Sequence, residues 1–153
     1  MSVGKPQDVR KEVMKMYPEE MYKPMKEELT SKGFEELLTE KEVEDLIDKD
    51  EVSLVAVNTV CGCAASSMRP AVLEAVKHSK TPKNLFTVFA GVDFKATNKI
   101  REYFNKAGYP PSSPALSLMK GEKVLFMMQR EDINGRDPFD VKDDMVKAFE
   151  KYC

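Results

Sequence analysis

The side chains with the clearest capacity for chemistry are Cys61 and Cys63, which lie on either side of Gly62 in the segment VCGCAA, residues 60 to 65. The thiolate is the reactive form of cysteine, and backbone N–H groups at the start of a helix stabilise it. Gly62 allows a tight turn and leaves room for an approaching sulfur, so we assign it to substrate binding. The pattern predicts thiol–disulfide exchange, in which Cys61 attacks and Cys63 resolves.

The spacing of the two cysteines also limits the disulfide that they can form. A CxC bridge closes a smaller ring than a CxxC bridge, so it departs from preferred geometry and is more easily reduced. Two alternatives remain open: buried cysteines that only fill space, or a module that binds zinc or copper through Cys61, Cys63 and Cys153. A structural zinc site requires four ligands, and His78, the only histidine, lies about 22 Å along the predicted helix. We therefore predict no metal site and place His78 on the surface.

A strand and a helix are predicted to position this pair. The apolar run VSLVAV (52–57) indicates a strand just before the cysteines, and the residues after Cys63 have a helical pattern as far as about His78. Pro70 lies inside that helix and lacks an N–H, so we expect a bend that separates the first turns from the rest. Arg69 is either a solvated cation or a group that stabilises a thiolate or an anionic substrate.

Further strands and helices alternate after this unit. A strand at 85–90, a helix capped by Asp93, strands at 115–119 and 123–128, and a last helix capped by Asp137 follow in turn. From residue 52 onward the order is therefore βαβαββα, which is the minimal core of a thioredoxin-like α/β fold. We predict one domain over residues 1–153, with its core at 51–153.

Residues 1–50 are predicted to form a helical extension to that core. Val9, Val13 and Met16 share one helical face, and Met21, Met25 and Leu29 share another. A capping box of Thr39 and Glu42 starts a third helix.

A proline precedes the third predicted strand of the core. A thioredoxin fold holds a cis proline at this place, beside the reactive cysteine, and we predict that the Ser113-Pro114 bond is cis. Such a turn exposes backbone groups with which a substrate chain can pair, so Ser113 and Pro114 are assigned to substrate binding. The alternative is a rigid loop without a role in binding.

The third cysteine, Cys153, is the last residue. It is either a frayed terminal thiol, whose pKa the α-carboxylate raises, or an accessory group that resolves a disulfide or forms an intermolecular bridge.

Composition excludes several classes of protein. The chain has 24 Lys and Arg against 26 Asp and Glu, interspersed along its length, so we predict no nucleic-acid partner. Its apolar runs are far shorter than the roughly 20 residues that span a bilayer, and the N-terminus lacks a secretory pattern. We therefore expect a cytoplasmic protein without a membrane partner, in a compartment where cysteines are seldom structural bridges.

Several segments together resemble the bacilliredoxin family. They are KPMKEELTSKGFEELLT (23–39), VNTVCGCAA (57–65), MRP (68–70), VFAGVDFKAT (88–97), PPSSPA (110–115) and FEKYC (149–153). The resemblance extends from about Met21 to Cys153, and VCGCAA combined with PSSP is far more specific than a lone CxC.

The resemblance implies a thioredoxin-like protein that removes bacillithiol from proteins carrying it as a mixed disulfide. Cys61 matches the attacking cysteine and Cys63 the second cysteine. The implied partners are bacillithiolated client proteins, with bacillithiol as co-substrate, no bound cofactor, and bacillithiol or a reductase for regeneration. A general disulfide isomerase or oxidant acting on protein dithiols is the rival enzyme class.

This chain departs from the family pattern at two positions. Family members usually carry an Arg-His pair after the last strand, whereas here Arg130 is followed by Glu131. Ser66 stands where a glycine is common, which predicts slightly altered access to the site.

Overall fold

The computed structural model describes residues 16–153, along which helices and strands alternate. The helices are α1 (Glu19–Thr30), α2 (Glu40–Asp48), α3 (Arg69–Ala75), α4 (Phe94–Lys106), α5 (Arg130–Ile133) and α6 (Pro138–Tyr152). The strands are β1 (Glu35–Glu36), β2 (Val52–Asn58), β3 (Asn84–Phe89), β4 (Ala115–Lys120) and β5 (Lys123–Met128). A π-helical segment, Ala64–Met68, directly precedes α3.

The strands form one five-stranded sheet in the order β1-β3-β2-β4-β5. β1 and β2 both run parallel to β3, whereas β4 runs antiparallel to its neighbours β2 and β5. β2 is therefore central and hydrogen-bonded on both sides. This position fixes its carboxyl end, from which the chain continues to Cys61.

Helices cover both faces of the sheet, which explains the continuous apolar run of β2. Leu54 and Ala56 pack with side chains of α1, α3 and α6 on one face. Val55 and Val57 pack with α2 and α4 on the other. Within residues 16–153, no helix combines the length and the apolar composition needed to cross a membrane.

The predicted order βαβαββα is confirmed from Val52 onward. Two predicted helix starts are also confirmed: Thr39 Oγ1 accepts a hydrogen bond from the N–H of Glu42, and Asp137 accepts one from the N–H of Phe139. Asp93 precedes α4 without forming a side-chain cap, because its carboxylate forms an ion pair with Lys26 at 2.7 Å.

The extension is not entirely helical, and this part of the prediction is wrong. Glu35 and Glu36 form β1 at the edge of the sheet, where the N–H of Leu37 donates a hydrogen bond to the carbonyl of Thr87. A strand of two residues is too short to show a period-two pattern, so sequence patterning does not detect it. The predicted helical face of Val9 and Val13 lies outside the described residues.

Candidate active site

Cys61 lies between the carboxyl end of β2 and the start of a helix. The carbonyl of Cys61 accepts hydrogen bonds from the N–H groups of Ala64 and Ala65, at 3.1 and 3.4 Å. Gly62 and Cys63 already have helical conformation. Cys61 therefore lies directly before the first helical turn, as the sequence predicted.

The two sulfurs lie in direct contact but differ in exposure. The Sγ atoms of Cys61 and Cys63 are 2.7 Å apart and share a hydrogen bond, with both cysteines free. Cys61 is half-buried, whereas only 7% of Cys63 is exposed. The predicted order of exposure is confirmed, while the identity of the attacking thiol stays a prediction.

Burial raises the pKa of Cys63 above its ordinary value. The hydrogen bond to Cys61 and the negative charge of a Cys61 thiolate raise it further, whereas the positive charge of Arg130 lowers it. Cys63 is thus predominantly a thiol at neutral pH, and a thiol attacks a disulfide poorly. When the sulfur of Cys61 is part of a disulfide, it carries no negative charge. The pKa of Cys63 is then raised less, because the repulsion by a Cys61 thiolate is absent.

Pro70 lies in the first turn of α3, directly after the π-helical segment, and the predicted bend stays a prediction. Pro70 lacks an N–H for the ordinary helical ladder, and the turn before it widens into the π-helical segment Ala64–Met68, where the N–H of Arg69 bonds the carbonyl of Ala64. Within this wide turn, Ser67 Oγ donates a hydrogen bond to the carbonyl of Arg136 at 2.7 Å. The first turns are therefore tied to the loop before α6.

The solvated interpretation of Arg69 is wrong, because its side chain is buried, whereas its action on a thiolate or an anionic substrate stays a prediction. Only 2% of Arg69 is exposed, so it is not a solvated cation. Nη1 donates hydrogen bonds to Oδ1 of Asn58 at 2.9 Å and to the carbonyl of Thr59 at 3.0 Å. These partners are the last residue of β2 and the residue after it, so Arg69 holds the chain that leads to Cys61.

Glu28 supplies the counter-charge to this arginine. Its Oε2 lies 3.0 Å from Nε of Arg69. The N–H of Nε does not point at the carboxylate, so this contact is an ion pair without a hydrogen bond. Asn58 completes the network, since its Nδ2 donates to the carbonyl of Met25 and its Oδ1 accepts from the N–H of Thr59.

The loop before β4 lies at the same end of the sheet. The Ser113-Pro114 bond is cis, which confirms the prediction, and Pro114 is buried. Ala115 pairs with Val57 in the antiparallel ladder, so Pro114 lies level with the chain that leads from β2 to Cys61. Ser113 and Pro114 thus lie at the same end of the sheet as Cys61, and their role in substrate binding stays a prediction.

A polar groove beside this loop was not found by sequence reasoning. It has a volume of about 410 Å³, and its lining includes two arginines, Arg101 of α4 and Arg130 of α5. The cis-proline loop forms another wall: Ser112 Oγ accepts a hydrogen bond from the N–H of Arg130 at 2.7 Å. Because 29 positions separate the two arginines, no local pattern brings them together.

Cys153 lies at the far end of the sheet from the CxC pair. It shares a shallow groove with Asp50, Val52 and Lys120, which are at the amino end of β2 and the carboxyl end of β4. The length of β2, roughly 20 Å, therefore separates it from Cys61. Burial raises the pKa of the Cys153 thiol, whereas the sequence interpretation attributed a raised pKa to the α-carboxylate.

This separation prevents Cys61, Cys63 and Cys153 of one chain from binding the same metal ion. Within the described residues, no three His, Cys, Asp or Glu side chains are grouped so that they could hold a metal ion. Cys153 also cannot resolve a disulfide on Cys61 of the same chain. His78 lies on the surface, as predicted, and contacts Glu150 of α6 at 2.5 Å.

Known proteins resemble this chain along most of its length. A family model described as disulphide isomerase matches residues 17–153. A bacilliredoxin of Geobacillus kaustophilus is 48% identical over 139 residues, which cover 90% of this chain and 94% of that protein. A bacilliredoxin of Koribacter versatilis is 45% identical with the same coverage. The chain belongs to the bacilliredoxin family.

Solved structures agree with the fold of this family member. The thioredoxin-like domain of Arabidopsis NCP gives a TM-score of 0.55 at 14% identity, with 79% of each chain covered. Thioredoxin O2 from Arabidopsis thaliana in its oxidised state gives 0.51 at 20% identity, covering 78% of this chain and 96% of that one. The fold is thioredoxin-like, and together with the family it assigns a thiol–disulfide redox role to this protein.

Proposed function

We propose that this protein removes bacillithiol from S-bacillithiolated client proteins, with Cys61 as the nucleophile. The observation that carries the proposal is the pair itself: a half-buried Cys61 at a helix start, in contact with a buried Cys63. The names of the relatives support bacillithiol as the co-substrate.

The reaction begins with attack of the Cys61 thiolate on the bacillithiol sulfur of the mixed disulfide. A new disulfide forms between Cys61 and bacillithiol, and the bond to the client breaks. The client sulfur leaves with the electron pair and takes up a proton, so the client is released as a thiol. No net oxidation or reduction occurs in this step.

A second thiol must then remove bacillithiol from Cys61. The contact of 2.7 Å supports Cys63, whose thiolate would attack the Cys61 sulfur and release bacillithiol. The resulting Cys61–Cys63 disulfide needs two electrons from a reductase, or from bacillithiol, to regenerate the dithiol. Direct attack on the adduct by an external thiol is the alternative. Both routes require a supply of reduced thiol, which is consistent with our proposal of a cytoplasmic location.

The experiment uses a client protein with one bacillithiolated cysteine. In a Cys63→Ala variant, the client is expected to emerge reduced while intact mass spectrometry shows bacillithiol on Cys61. In Cys61→Ala, the client is expected to stay modified, although Cys63 and Cys153 remain. Full activity of Cys61→Ala combined with loss in Cys63→Ala would reverse the assigned roles.

Disulfide isomerisation is the second candidate function, and the description of the matching family model favours it. The two functions differ in the disulfide that Cys61 attacks. We would compare the rate on the bacillithiolated client with the rate on a protein whose disulfides have been scrambled. The proposed function predicts much faster turnover of the bacillithiolated client, and the opposite ranking would assign the protein to isomerisation.

A further inference from the structure

In the groove that Arg101 and Arg130 share, neither positive charge is paired directly with a carboxylate. Neither guanidinium forms an ion pair within 4 Å of an acidic side chain of the described residues. The other two arginines of the described part are paired: Arg69 with Glu28, and Arg136 with Asp144 at 2.7 Å. Unpaired guanidinium groups that face a common cavity favour an anionic ligand.

The hydrogen bonding of Arg101 supports the same conclusion. Its Nε is buried and has no hydrogen-bond partner, and its one side-chain hydrogen bond within the described residues is a long one of 3.4 Å from Nη2 to the carbonyl of Ser112. Burial also lowers the pKa of this guanidinium. A buried donor without a partner is costly, so the protein itself leaves this guanidinium incompletely satisfied.

The rest of the groove is held in place by its own hydrogen bonds. Gln129 Nε2 donates to the carbonyl of Pro110 at 2.7 Å, and Ser112 Oγ donates to the carbonyl of Pro114 at 3.3 Å. Arg130 is less restrained, since its Nη1 has only a bond of 3.5 Å to the carbonyl of Ser113. The groove is thus preformed, with its arginines left to bind a ligand.

The groove also lies at the end of the sheet that carries the two cysteines. Ser113 lines it and directly precedes Pro114, and the charge of Arg130 is close enough to Cys63 to lower the pKa of that thiol. Because Ala115 pairs with Val57, the groove beside Ser113 lies at the end of the sheet from which the chain continues to Cys61. Glu131 also lines it, so the groove carries two positive charges and one negative charge.

We propose that this groove is an anion subsite, in which Arg101 and Arg130 bind carboxylates of the low-molecular-weight thiol during its transfer to Cys61. The inference rests on the proposed function. Bacillithiol consists of cysteine, glucosamine and malate, so its adduct carries malyl carboxylates that a disulfide between two protein cysteines lacks. The subsite would select a client by the small thiol on it rather than by the client sequence.

The test compares two mixed disulfides of one uncharged client peptide. One carries bacillithiol, and the other carries cysteinyl-glucosamine, which lacks the malyl group. The wild-type protein is expected to process the bacillithiol adduct with at least about tenfold higher kcat/KM, since charge-assisted hydrogen bonds to two arginines are lost with the malyl group. Equal rates on the two adducts would overturn the subsite, even though the proposed function would stand.

Substitutions in the groove test whether its side chains cause this preference for the bacillithiol adduct. Arg101→Gln is expected to lower kcat/KM for the bacillithiol adduct by roughly tenfold and to leave the other adduct nearly unchanged, with partial recovery in Arg101→Lys. Glu131→Gln is expected to raise the rate on the bacillithiol adduct only. The control is Lys106→Gln, which removes a positive charge from the same helix outside the groove and should change neither rate.

Two results would contradict the inference. If Arg101→Gln slows both adducts equally, Arg101 has a structural role. A third peptide, with acidic residues beside its cysteine, tests whether the carboxylate comes from the client. If Arg101→Gln lowers kcat/KM for this peptide with either thiol attached, the groove binds the client and not the small thiol. If the wild-type protein processes neither adduct, the proposed function itself has failed.

Discussion

Arg69 donates a hydrogen bond from Nη1 to Oδ1 of Asn58 across 2.9 Å, eleven positions back along the chain. This bond joins the start of α3 to the end of β2, so it closes the loop that carries Cys61 and Cys63. The same nitrogen also bonds the carbonyl of Thr59. A buried cation thus fixes the backbone from which the reactive cysteine projects.

Replacing Arg69 by Met is expected to lower the free energy of unfolding by about 3 kcal/mol. The reason is that the substitution leaves Asn58 and the carbonyl of Thr59 without their donor in a buried site. Chemical denaturation measures the loss of stability. The rate of alkylation of Cys61 should also fall, or its time course should show several phases, because the loop loses its fixed geometry. The control is Lys77→Met, which removes an exposed ion pair and should cost under about 0.5 kcal/mol. Equal effects of the two variants would contradict the positioning role.

Resolution by Cys63 is expected to accelerate as the pH rises. Because burial raises the pKa of Cys63, only a small fraction of it is thiolate at neutral pH. This fraction is expected to keep growing above pH about 8.5, the ordinary pKa of cysteine. The measurement is the rate at which bacillithiol leaves preloaded Cys61 without an external thiol. A rate that is already maximal at pH 7 would contradict this prediction, and Cys63→Ala, which should show no release, is the control.

Arg130 is expected to assist the same step. Its charge lowers the pKa of Cys63, so Arg130→Gln should move the pH profile of bacillithiol release to higher pH and slow release at pH 7. Arg130→Lys keeps the charge and should leave the profile closer to that of the wild type. Identical profiles for all three proteins would show that the charge does not reach Cys63.

Cys153→Ser is expected to leave both transfer to Cys61 and resolution unchanged. Cys153 lies at the amino end of β2, roughly 20 Å from the CxC pair. The measurement is single-turnover release of the client and then of bacillithiol. A tenfold loss in either step at low protein concentration would require Cys153 to reach Cys61 and would contradict the arrangement of the sheet.

Gly91→Ala is expected to destabilise the protein more than Gly108→Ala. Both glycines have positive φ, +86° and +94°, so alanine is strained at each by about 1–2 kcal/mol. At Gly91 the added Cβ would also lie 2.9 Å from the ring of Tyr17, whereas at Gly108 nothing lies within 4 Å. We expect an additional loss of about 1 kcal/mol or more at Gly91, measured by thermal unfolding. Equal losses would show that Tyr17 moves away without cost.

Local patterns in the sequence were sufficient to predict the core and the reactive pair. The strand that leads to Cys61 is an unbroken apolar run, and the helix after Asp137 begins with a cap and a proline, so each signal lies within a few neighbouring residues. The different exposure of Cys61 and Cys63 followed from the same reasoning, because a strand end and a first helical turn face different surroundings. Local patterns failed where a feature was too short, as in β1, and where a residue distant in sequence competed, as where Lys26 takes the carboxylate of Asp93.

Only the tertiary structure decided which distant side chains share a site. Arg69 appeared solvated or near a thiolate, yet the packing of α3 against β2 buries it on Asn58. Arg101 and Arg130 meet in one groove because α4 and α5 both border the cis-proline loop. Cys153 is separated from Cys61 because α6 ends at the opposite end of the sheet. Such placements depend on how helices and strands pack together, whereas the sequence by itself determined the elements and the cysteine chemistry at their junction.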